Sequence, residues 1–594
     1  MAKEGAKKEE KKTRREPLIW IRLSSPSKLL RAFVVSLIAV LTVYAAIYYE
    51  PGQYGIWFAD VDEPILLGDA ETGELVRQVV DGIFEQKLTR PTLAGLLRDR
   101  RPRIVILSLS NGDQPAKVIV GRGRGIVAAA DDAIRRSREP MNRLYDPRWV
   151  KIDVVQQAST EPGFQFGGTM ALTRASQGVA FPRATQLAFL PDQLVAYSLV
   201  DDQRQLRSEK IIAYLKNDAR ALKRFQRLDA TKPLPVYWFS TISFFTDGKK
   251  FSGLNNGQRD VASMDGEAIV QGVKLGADFL AGAVNSEGRF LATSEPDEAL
   301  ALKYDYYQHA GALLALLHAG KADATSMNAE AIGRGLDFLI KHQPEDIGSL
   351  GLGLAVGSIW YRLRPASTSL PSLRQWAAQL LQKQKADGSF EVGTERRFEE
   401  FEGAAALGLW EWFNVDKSAP VLTSVQRAAD YLVAKRDRGL PDARLLADRW
   451  LARTLSGLYR AQKETRYLEH LQRLAGAMIA SQNLSAIFPA WRGSFFQPPD
   501  FLETGRRASV LCDSYKTVRA FGKDAIAQKL FESLQSASSF QIQNQFLPEK
   551  VLYVARPDQK LGGFPRGLSD YRISLENVQA NVDALSCYLE TLTH

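Results

Sequence analysis

AlaAspGlySerPhe at 386–390, followed by PheGluGlyAlaAlaAlaLeuGlyLeuTrp at 401–410, decides how the second half of this chain is read. The first string predicts a turn with Gly and an aromatic. The second predicts a helix of small residues that a neighbouring helix can approach closely. The pair recurs. GluGlyArgPhe at 287–290 precedes HisAlaGlyAlaLeuLeuAlaLeuLeu at 309–317, ArgGlySerPhe at 492–495 precedes SerValLeuCysAspSerTyr at 509–515, and GlyGlyPhe at 562–564 precedes ValGlnAlaAsnValAspAlaLeu at 578–585.

Bulkier amphipathic helices alternate with these and share an ending: PheLeuIleLysHisGln at 338–343, LeuLeuGlnLysGln at 380–384, TyrLeuValAlaLysArg at 431–436 and MetIleAlaSerGln at 478–482. The ends fall 41, 52 and 46 residues apart. A period of this size is one helical hairpin, and stacked hairpins bury faces that one hairpin cannot. Residues 262–594 are therefore expected to form an all-α (α/α) toroid, with the small-residue helices inside and the bulkier ones outside.

Earlier residues read differently. ArgIleValIleLeuSerLeuSer at 103–110 and AlaLysValIleValGly at 116–121 are β-type runs joined by Asn111-Gly112-Asp113, which predicts a hairpin, and 126–138 has helical spacing. LysIleAspValVal at 151–155 and GlyGlyThrMetAlaLeuThr at 167–173 suggest further strands, with 186–190 entering another element. Residues 77–260 are expected to be an α+β domain. GlyArgGlyArgGly at 121–125 reads as a strand-to-helix turn, with an anion cradle as the alternative.

The N-terminus sets the topology. Residues 32–49 are uncharged and apolar, and the 31 residues before them carry ten Lys or Arg against four Asp or Glu. With Leu29 and Leu30, this run nearly matches a hydrocarbon core about 30 Å thick. Positive charge is retained on the cytoplasmic side. No Lys or Arg occurs from Ala32 to Val76, while Glu50, Asp60, Asp62, Glu63, Asp69, Glu71 and Glu74 follow the span. The expected order is a cytoplasmic tail (1–31), a transmembrane helix (32–49) and a linker (50–76), then the α+β and toroid domains. The whole is a single-pass inner-membrane protein with its bulk outside the cytoplasm. A signal peptide cleaved after Val43-Tyr44-Ala45 is the competing reading.

The tail accounts for +6 of the formal net charge of +10, leaving +4 on everything beyond. That argues against nucleic acid as a partner. Cys512 and Cys587 lie in apolar helical patterns and are read as two buried free thiols, although an exported location permits their pairing. The five His are scattered, so neither a metal nor a cofactor is expected.

The repeat region resembles the (α/α) toroids of glycoside hydrolases, polysaccharide lyases and sugar epimerases, and most of all the glucuronyl C5-epimerase-like group. The resemblance lies in LysTyrAspTyrTyrGlnHisAlaGlyAlaLeu (303–313), 386–407, GlyGlyPhePro (562–565) and ArgIleSerLeuGluAsnValGlnAlaAsnValAspAlaLeu (572–585). It spans about 330 residues and implies binding of a glycan, with hydrolysis, epimerisation or elimination as its chemistry. Where related toroids carry Arg-Ile-Asp and Gln-His, Ser574 follows Ile573 and Ala580 follows Gln579. The α+β region faintly resembles AMMECR1-like domains without their Arg-Gly-Cys-Ile-Gly signature, so no activity is implied.

Rim turns are rich in Arg: Arg289, Arg396, Arg397, Arg492, Arg506, Arg507, Arg566 and Arg572. Guanidinium forks suit carboxylates and sulfates, so an acidic polysaccharide is the expected partner. Acid–base chemistry on a sugar needs two positioned groups. Glu402, at the start of a small-residue helix, is the first candidate and Glu400 its neighbour, with Tyr306 or His309 opposite. Trp491, Arg492, Arg572, Tyr304, Asp513 and Tyr515 are the candidate substrate-binding residues. Each Glu could equally be a helix-capping residue, and His309 a packed one. A non-catalytic scaffold, assembling other envelope proteins into a secretion or polysaccharide-synthesis complex, is the alternative from another class.

Overall fold

The computed structural model describes residues 34–37 and 55–593, apart from 88, 165–168, 172–176, 201–204, 227–233, 256–257, 260–265, 292–303, 366–368, 392–399, 485–488, 523 and 569. Two units are distinguished, Met1–Ile56 and Trp57–His594. In the first, only 34–37 is a described helical stretch. The expected transmembrane helix 32–49 thus lies largely outside the described residues. Among the described residues, no helix is long and apolar enough to cross a membrane.

The second unit begins where a linker was expected. Trp57 donates its indole N–H to the Phe181 carbonyl at 2.8 Å, and Phe58 packs on Phe239 with ring centroids 4.4 Å apart. Both are buried. Within 50–76, the apolar side chains of Trp57, Phe58 and Val61 have a core to enter, and α1 (Asp69–Ile83) starts inside the same segment. The linker reading is corrected accordingly.

An antiparallel sheet follows, with strands β1 (Pro102–Ser110), β2 (Lys117–Arg124), β3 (Trp149–Phe164), β4 (Thr169–Ala171), β5 (Gly178–Ala180), β6 (Ala188–Phe189), β7 (Gln205–Arg207), β8 (Leu234–Thr246), β9 (Phe251–Asn255) and β10 (Gln258–Arg259). The main order is β10-β9-β8-β3-β1-β2, with β5 and β6 joined to it through β8, while β4 and β7 pair separately. The hairpin predicted from Asn111-Gly112 forms in the register Ser108↔Val118, with Gly112 at φ +93°. The helix predicted next is α2 (Ile126–Ser137). GlyArgGlyArgGly is the end of β2 running into it: a Cβ on Gly121 or Gly123 would collide with the α2 backbone at Ala128, Ala129 and Ala133. The alternation of a half-buried strand sorts the two faces. Val105, Leu107, Leu109, Val150, Ile152 and Val154 pack against Val79 of α1 and Ile134 of α2.

The opposite face mixes Ile104 and Ile106 with buried polar residues such as Ser108, Lys151 and Asp153, and the helical half contacts the sheet there and at its hairpin end. Ser108 Oγ lies 2.8 Å from the Tyr553 hydroxyl, the Ala116 amide donates to the Leu552 carbonyl at 2.6 Å, and Arg148 pairs with Asp558 at 2.6 Å. Sheet and helices fall in one compact unit, Trp57–His594.

Among the described residues, twelve long helices build the remainder: α3 (Gly266–Gly282), α4 (Tyr306–Ala322), α5 (Ala329–His342), α6 (Ile347–Leu363), α7 (Leu370–Lys383), α8 (Phe401–Asp416), α9 (Ala419–Tyr431), α10 (Arg449–Gln462), α11 (Thr465–Ala480), α12 (Phe501–Ala520), α13 (Asp524–Asn544) and α14 (Leu575–Thr593). The even-numbered helices pack in the sequence α4-α6-α8-α10-α12-α14, and α14 returns to α4, closing an inner ring. The odd-numbered helices lie outside, each against its inner neighbours. The (α/α) toroid expected from the repeat is present.

Small residues make the inner contacts possible. A Cβ on Gly351 of α6 would strike the Ala404 carbonyl of α8, and one on Gly408 the Gly351 carbonyl. The recurring turns have a matching reason. Gly388 (φ +94°) and Gly493 (φ +90°) lie in the left-handed region and sit on the carbonyls of Arg427 and Ser536 in the next outer helix, where a side chain has no room. The Phe that follows is buried in each turn: Phe290, Phe390, Phe495 and Phe564.

The Gln at the outer-helix ends joins successive repeats. Gln384 Nε2 donates to Gly388 (3.2 Å) and to Ser424 of α9 (3.0 Å), and Gln482 Nε2 donates to Gly493 and to Ser533 of α13 (both 2.9 Å). Gln545 Nε2 donates to Gly562 (3.1 Å) and to Gly272 of α3 (2.8 Å). The last repeat is thus fastened to the first by the bond that links the others.

Candidate functional site

All six inner helices begin at one rim, where their free N–H groups and positive dipole ends gather. Five are capped by the residue just before them. Asp305 accepts the Gln308 amide (3.0 Å), Asp346 that of Ser349 (2.8 Å), Asp448 that of Leu451 (2.9 Å), Asp500 that of Glu503 (2.9 Å) and Ser574 that of Asn577 (3.2 Å). Ser574 does the work of the aspartates. The sixth position is Glu400 before α8, and its side chain makes no cap bond.

Glu400 turns into the ring instead. Its Oε1 lies 3.3 Å from Arg506 Nη1, and its Oε2 accepts the Tyr307 hydroxyl at 3.3 Å. Tyr307 in turn accepts the Trp450 indole N–H at 2.7 Å. Arg506 also reaches Glu503 at 3.1 Å and Glu576 at 2.5 Å, so one guanidinium from α12 holds three carboxylates from α8, α12 and α14. Burial pushes the Glu400 carboxyl up to about 7, against the opposing pull of Arg506 and Arg449. Burial likewise raises the Tyr307 phenol well above its ordinary value.

Beneath them lies Arg449, 2% exposed, its guanidinium 4.1 Å from the Trp450 ring centroid. Its Nε and Nη1 have no hydrogen-bond partner, and its nearest acid, Asp583, stands 3.9 Å away. Burial lowers its pKa, although Asp583 and Glu400 counteract this. One helical turn deeper, Arg453 bridges Asp513 and Asp583 at 3.2 Å each, and Asp583 faces His318 Nδ1 at 2.6 Å. Burial alone would raise Asp583, yet Arg453 and His318 hold it well below the usual carboxylate range.

The anticipated residues separate into two groups. Glu400 and Asp513 face the ring interior. Glu402, two residues along the same helix, points elsewhere and accepts the Phe390 amide at 3.1 Å, tying the recurring turn to α8; burial raises its pKa. Tyr304 serves the equivalent turn by accepting the Phe290 amide at 3.0 Å. Its own proton goes to His309 Nδ1 at 2.6 Å, and His309 Nε2 donates to the Gly335 carbonyl at 2.9 Å. With both nitrogens engaged and burial pulling its pKa down to about 3, His309 is a packed neutral histidine, which corrects its reading as a base. Tyr306 packs outward on Phe338 and His342, away from Glu400. Tyr515 packs on Phe531 of α13, because residues 513 and 515 of one helix cannot share a face.

Arg492 and Arg572 are exposed, Arg572 being paired with Asp570 at 2.7 Å, and Trp491 is half-buried in its turn. Arg396, Arg397, Glu395 and Glu399 lie outside the described residues. Cys512 of α12 and Cys587 of α14 form a disulfide with Cα atoms 6.2 Å apart, correcting the free-thiol reading.

Tyr307, Arg449, Trp450, Arg453 and Asp583 were not anticipated. The signal for two of them is ArgTrpLeuAlaArg at 449–453, two cations four residues apart in an otherwise apolar helix start, which places both on one inward face. Together these groups can bind an anion through Arg449 and Arg506 and exchange a proton near neutral pH through Glu400.

No protein-family model matches the chain, and no curated protein matches it. Among solved structures, the alpha-1,6-mannanase of Salegentibacter sp. HEL1_6 is similar at 12% identity and TM-score 0.44, over 56% of this chain and 100% of that one. An unsaturated glucuronyl hydrolase specific for heparin is similar at 14% identity and TM-score 0.44, over 56% of this chain and 99% of that one. The unsaturated glucuronyl hydrolase of Bacillus sp. GL1 is similar at 12% identity and TM-score 0.40, over 53% and 95%. At such values the likeness carries no statement about activity, and the double ring rests on its own helix contacts.

Proposed function

We propose that this chain is a membrane-anchored, exported protein whose toroid binds an acidic polysaccharide and acts on it by acid–base chemistry at Glu400, in the synthesis or export of an envelope glycan. One observation carries the reading: Glu400 alone among the six inner-helix caps leaves its helix uncapped and joins Arg506, Tyr307 and the partly unpaired Arg449. A carboxyl pushed up to about 7 can give or take a proton at neutral pH, as hydrolysis, epimerisation and elimination each require. Arg449 and Arg506 supply the fork for a sugar carboxylate.

Export is supported by two features. The uncharged run 32–49 follows a basic tail, and the Cys512–Cys587 disulfide belongs to an oxidising compartment. The test uses the full chain in detergent with a panel of uronic-acid polymers, following binding, chain length and C5 configuration. A changed polymer, with the change lost in Glu400→Gln, is the expected result; a panel neither bound nor altered overturns the reading.

A scaffold role is the second reading. It is favoured by Arg506, whose three carboxylates already neutralise it and join α8, α12 and α14 without any ligand. Co-purification with other envelope proteins, together with an unaltered panel, decides for it.

A further inference from the structure

Three carboxylates on one guanidinium are an arrangement that an incoming anion must disturb. Glu400, Glu503 and Glu576 share Arg506, while Arg449, also close to Glu400, has two N–H groups without a partner inside the ring. A sugar carboxylate entering here meets Arg449 as an unsatisfied donor and Arg506 as one whose Nη1 and Nη2 are held by carboxylates while its Nε has no partner. If Glu400 stays ionised, the newcomer adds a fourth negative charge around one occupied cation, in a site where burial weakens solvent screening.

We propose that a uronate carboxylate pairs with Arg449 and takes the place of Glu400 on Arg506, and that Glu400 takes up one proton from solvent as it is released. The inference rests on the acidic-glycan reading above and adds the charge state in which the sugar is held. The proton goes onto a Glu400 oxygen, and no covalent bond of the sugar changes. Binding would thereby load the protonated carboxyl that a general acid needs, in the presence of substrate rather than before it.

The charged and titratable neighbours of Glu400 support the direction. Arg506 and Glu503 face it from α12, Tyr307 from α4, Arg449 and its cap Asp448 from α10, and Glu576 of α14 through the shared Arg506. The cations favour the ionised form, while Asp448 and Glu503 oppose it. Diverting Arg506 and Arg449 to a ligand removes the favourable part, so the bound complex holds the proton more tightly than the free protein. Affinity is then fullest below the free-protein value of about 7 and falls as pH rises above it.

The test is calorimetric titration of the full chain in detergent with oligomers of galacturonate, glucuronate and mannuronate at pH 6, 7, 8 and 9, each in two buffers of different ionisation enthalpy. An oligouronate should bind with uptake of about one proton at pH 8, and its affinity should fall by about tenfold per pH unit above 7. Glu400→Gln should bind with neither effect. Binding with no proton uptake in the unaltered protein overturns the exchange and leaves the acidic-glycan reading standing, and this arm needs no variant to fold. Absence of binding by every oligouronate at every pH overturns both.

Discussion

The hydroxyl of Tyr307 donates to Glu400 Oε2 at 3.3 Å while accepting the Trp450 indole N–H at 2.7 Å. The indole occupies the phenol oxygen, so the phenolic proton is left to point at the carboxylate. A donor aimed at the charged form favours that form. Tyr307→Phe therefore pushes the Glu400 pKa above its present value and strands the Trp450 N–H inside the ring. The expected cost is about 1–3 kcal/mol of stability, with the pH profile of glycan binding moved upward. An unmoved profile beside a lower unfolding midpoint would mean that the phenol only packs.

Glu400 also makes stability depend on pH, with a definite sign. Its folded-state pKa of about 7 lies above the ordinary carboxylate value of 4.5, so the folded chain binds the proton more tightly than the unfolded one. Stability falls as pH rises from about 4.5 to 7 and stays at the lower level beyond. Glu400→Gln removes this fall. Relative to the unaltered chain, the variant should gain up to about 3 kcal/mol above pH 7 and nothing at pH 4. Denaturant titrations at a series of pH values measure the difference, and two parallel stability curves would disprove the assignment.

Arg506 is expected to be intolerant of change. Arg506→Ala leaves Glu400, Glu503 and Glu576 gathered without their cation, a loss of about 3–5 kcal/mol for the breaking of a buried ion pair. Arg506→Lys keeps the charge but offers one compact ammonium in place of a planar fork, so it should recover less than half of that loss. Full recovery by Lys in a denaturant titration would show that net charge rather than geometry matters here.

The double ring was legible because its cause is repetitive. Gly388 and Gly493 occupy a backbone region that suits Gly, Phe390 and Phe495 are buried beside them, and the outer-helix endings recur at a hairpin's spacing. Placement within the ring was not legible to the same degree. Glu400 and Glu402 are two residues apart at a helix start, and no periodicity says which one faces inward until the other inner helices fix the rotation of α8. The preference for Glu402 failed on that point: its carboxylate caps the Phe390 amide. The pattern before the inner helices, Asp305, Asp346, Glu400, Asp448, Asp500 and Ser574, does carry the signal, since Glu is the one residue there with an extra methylene. His309 and Tyr306 misled for a related reason, because a helix start offers an outward face as readily as an inward one.

The Gln bridges should be worth more than their exposure suggests. Gln482 Nε2 satisfies the carbonyls of Gly493 and Ser533, and its Oε1 accepts the Ser533 hydroxyl at 2.6 Å. Gln482→Leu keeps the bulk and removes all three bonds, although the Ser533 carbonyl keeps its place in the helix ladder, at a cost of about 1–3 kcal/mol. Gln545→Leu breaks the equivalent pair of bonds where α13 meets α3, so it should also loosen the closure of the ring. Hydrogen exchange of the Gly272 region distinguishes the two: it should quicken in Gln545→Leu and stay unchanged in Gln482→Leu.

The disulfide gives the most direct test of where the toroid folds. Cys512 and Cys587 are 75 residues apart and belong to α12 and α14, adjacent inner helices that also carry Arg506, Asp513 and Asp583. Closing a loop of that length restricts the unfolded chain, and the chain-entropy relation gives about 4 kcal/mol. Reduction, or Cys512→Ala with Cys587→Ala, should lower stability by that order while leaving the helical signal intact, because the ring is also held by small-residue contacts and Gln bridges. Alkylation before and after reduction, read by mass, counts the free thiols in the native chain. Two protected cysteines are expected in the isolated full chain. Two reactive ones in the native, unreduced chain would remove the main structural support for an oxidising compartment, and with it the outward orientation that the basic tail and apolar run suggest.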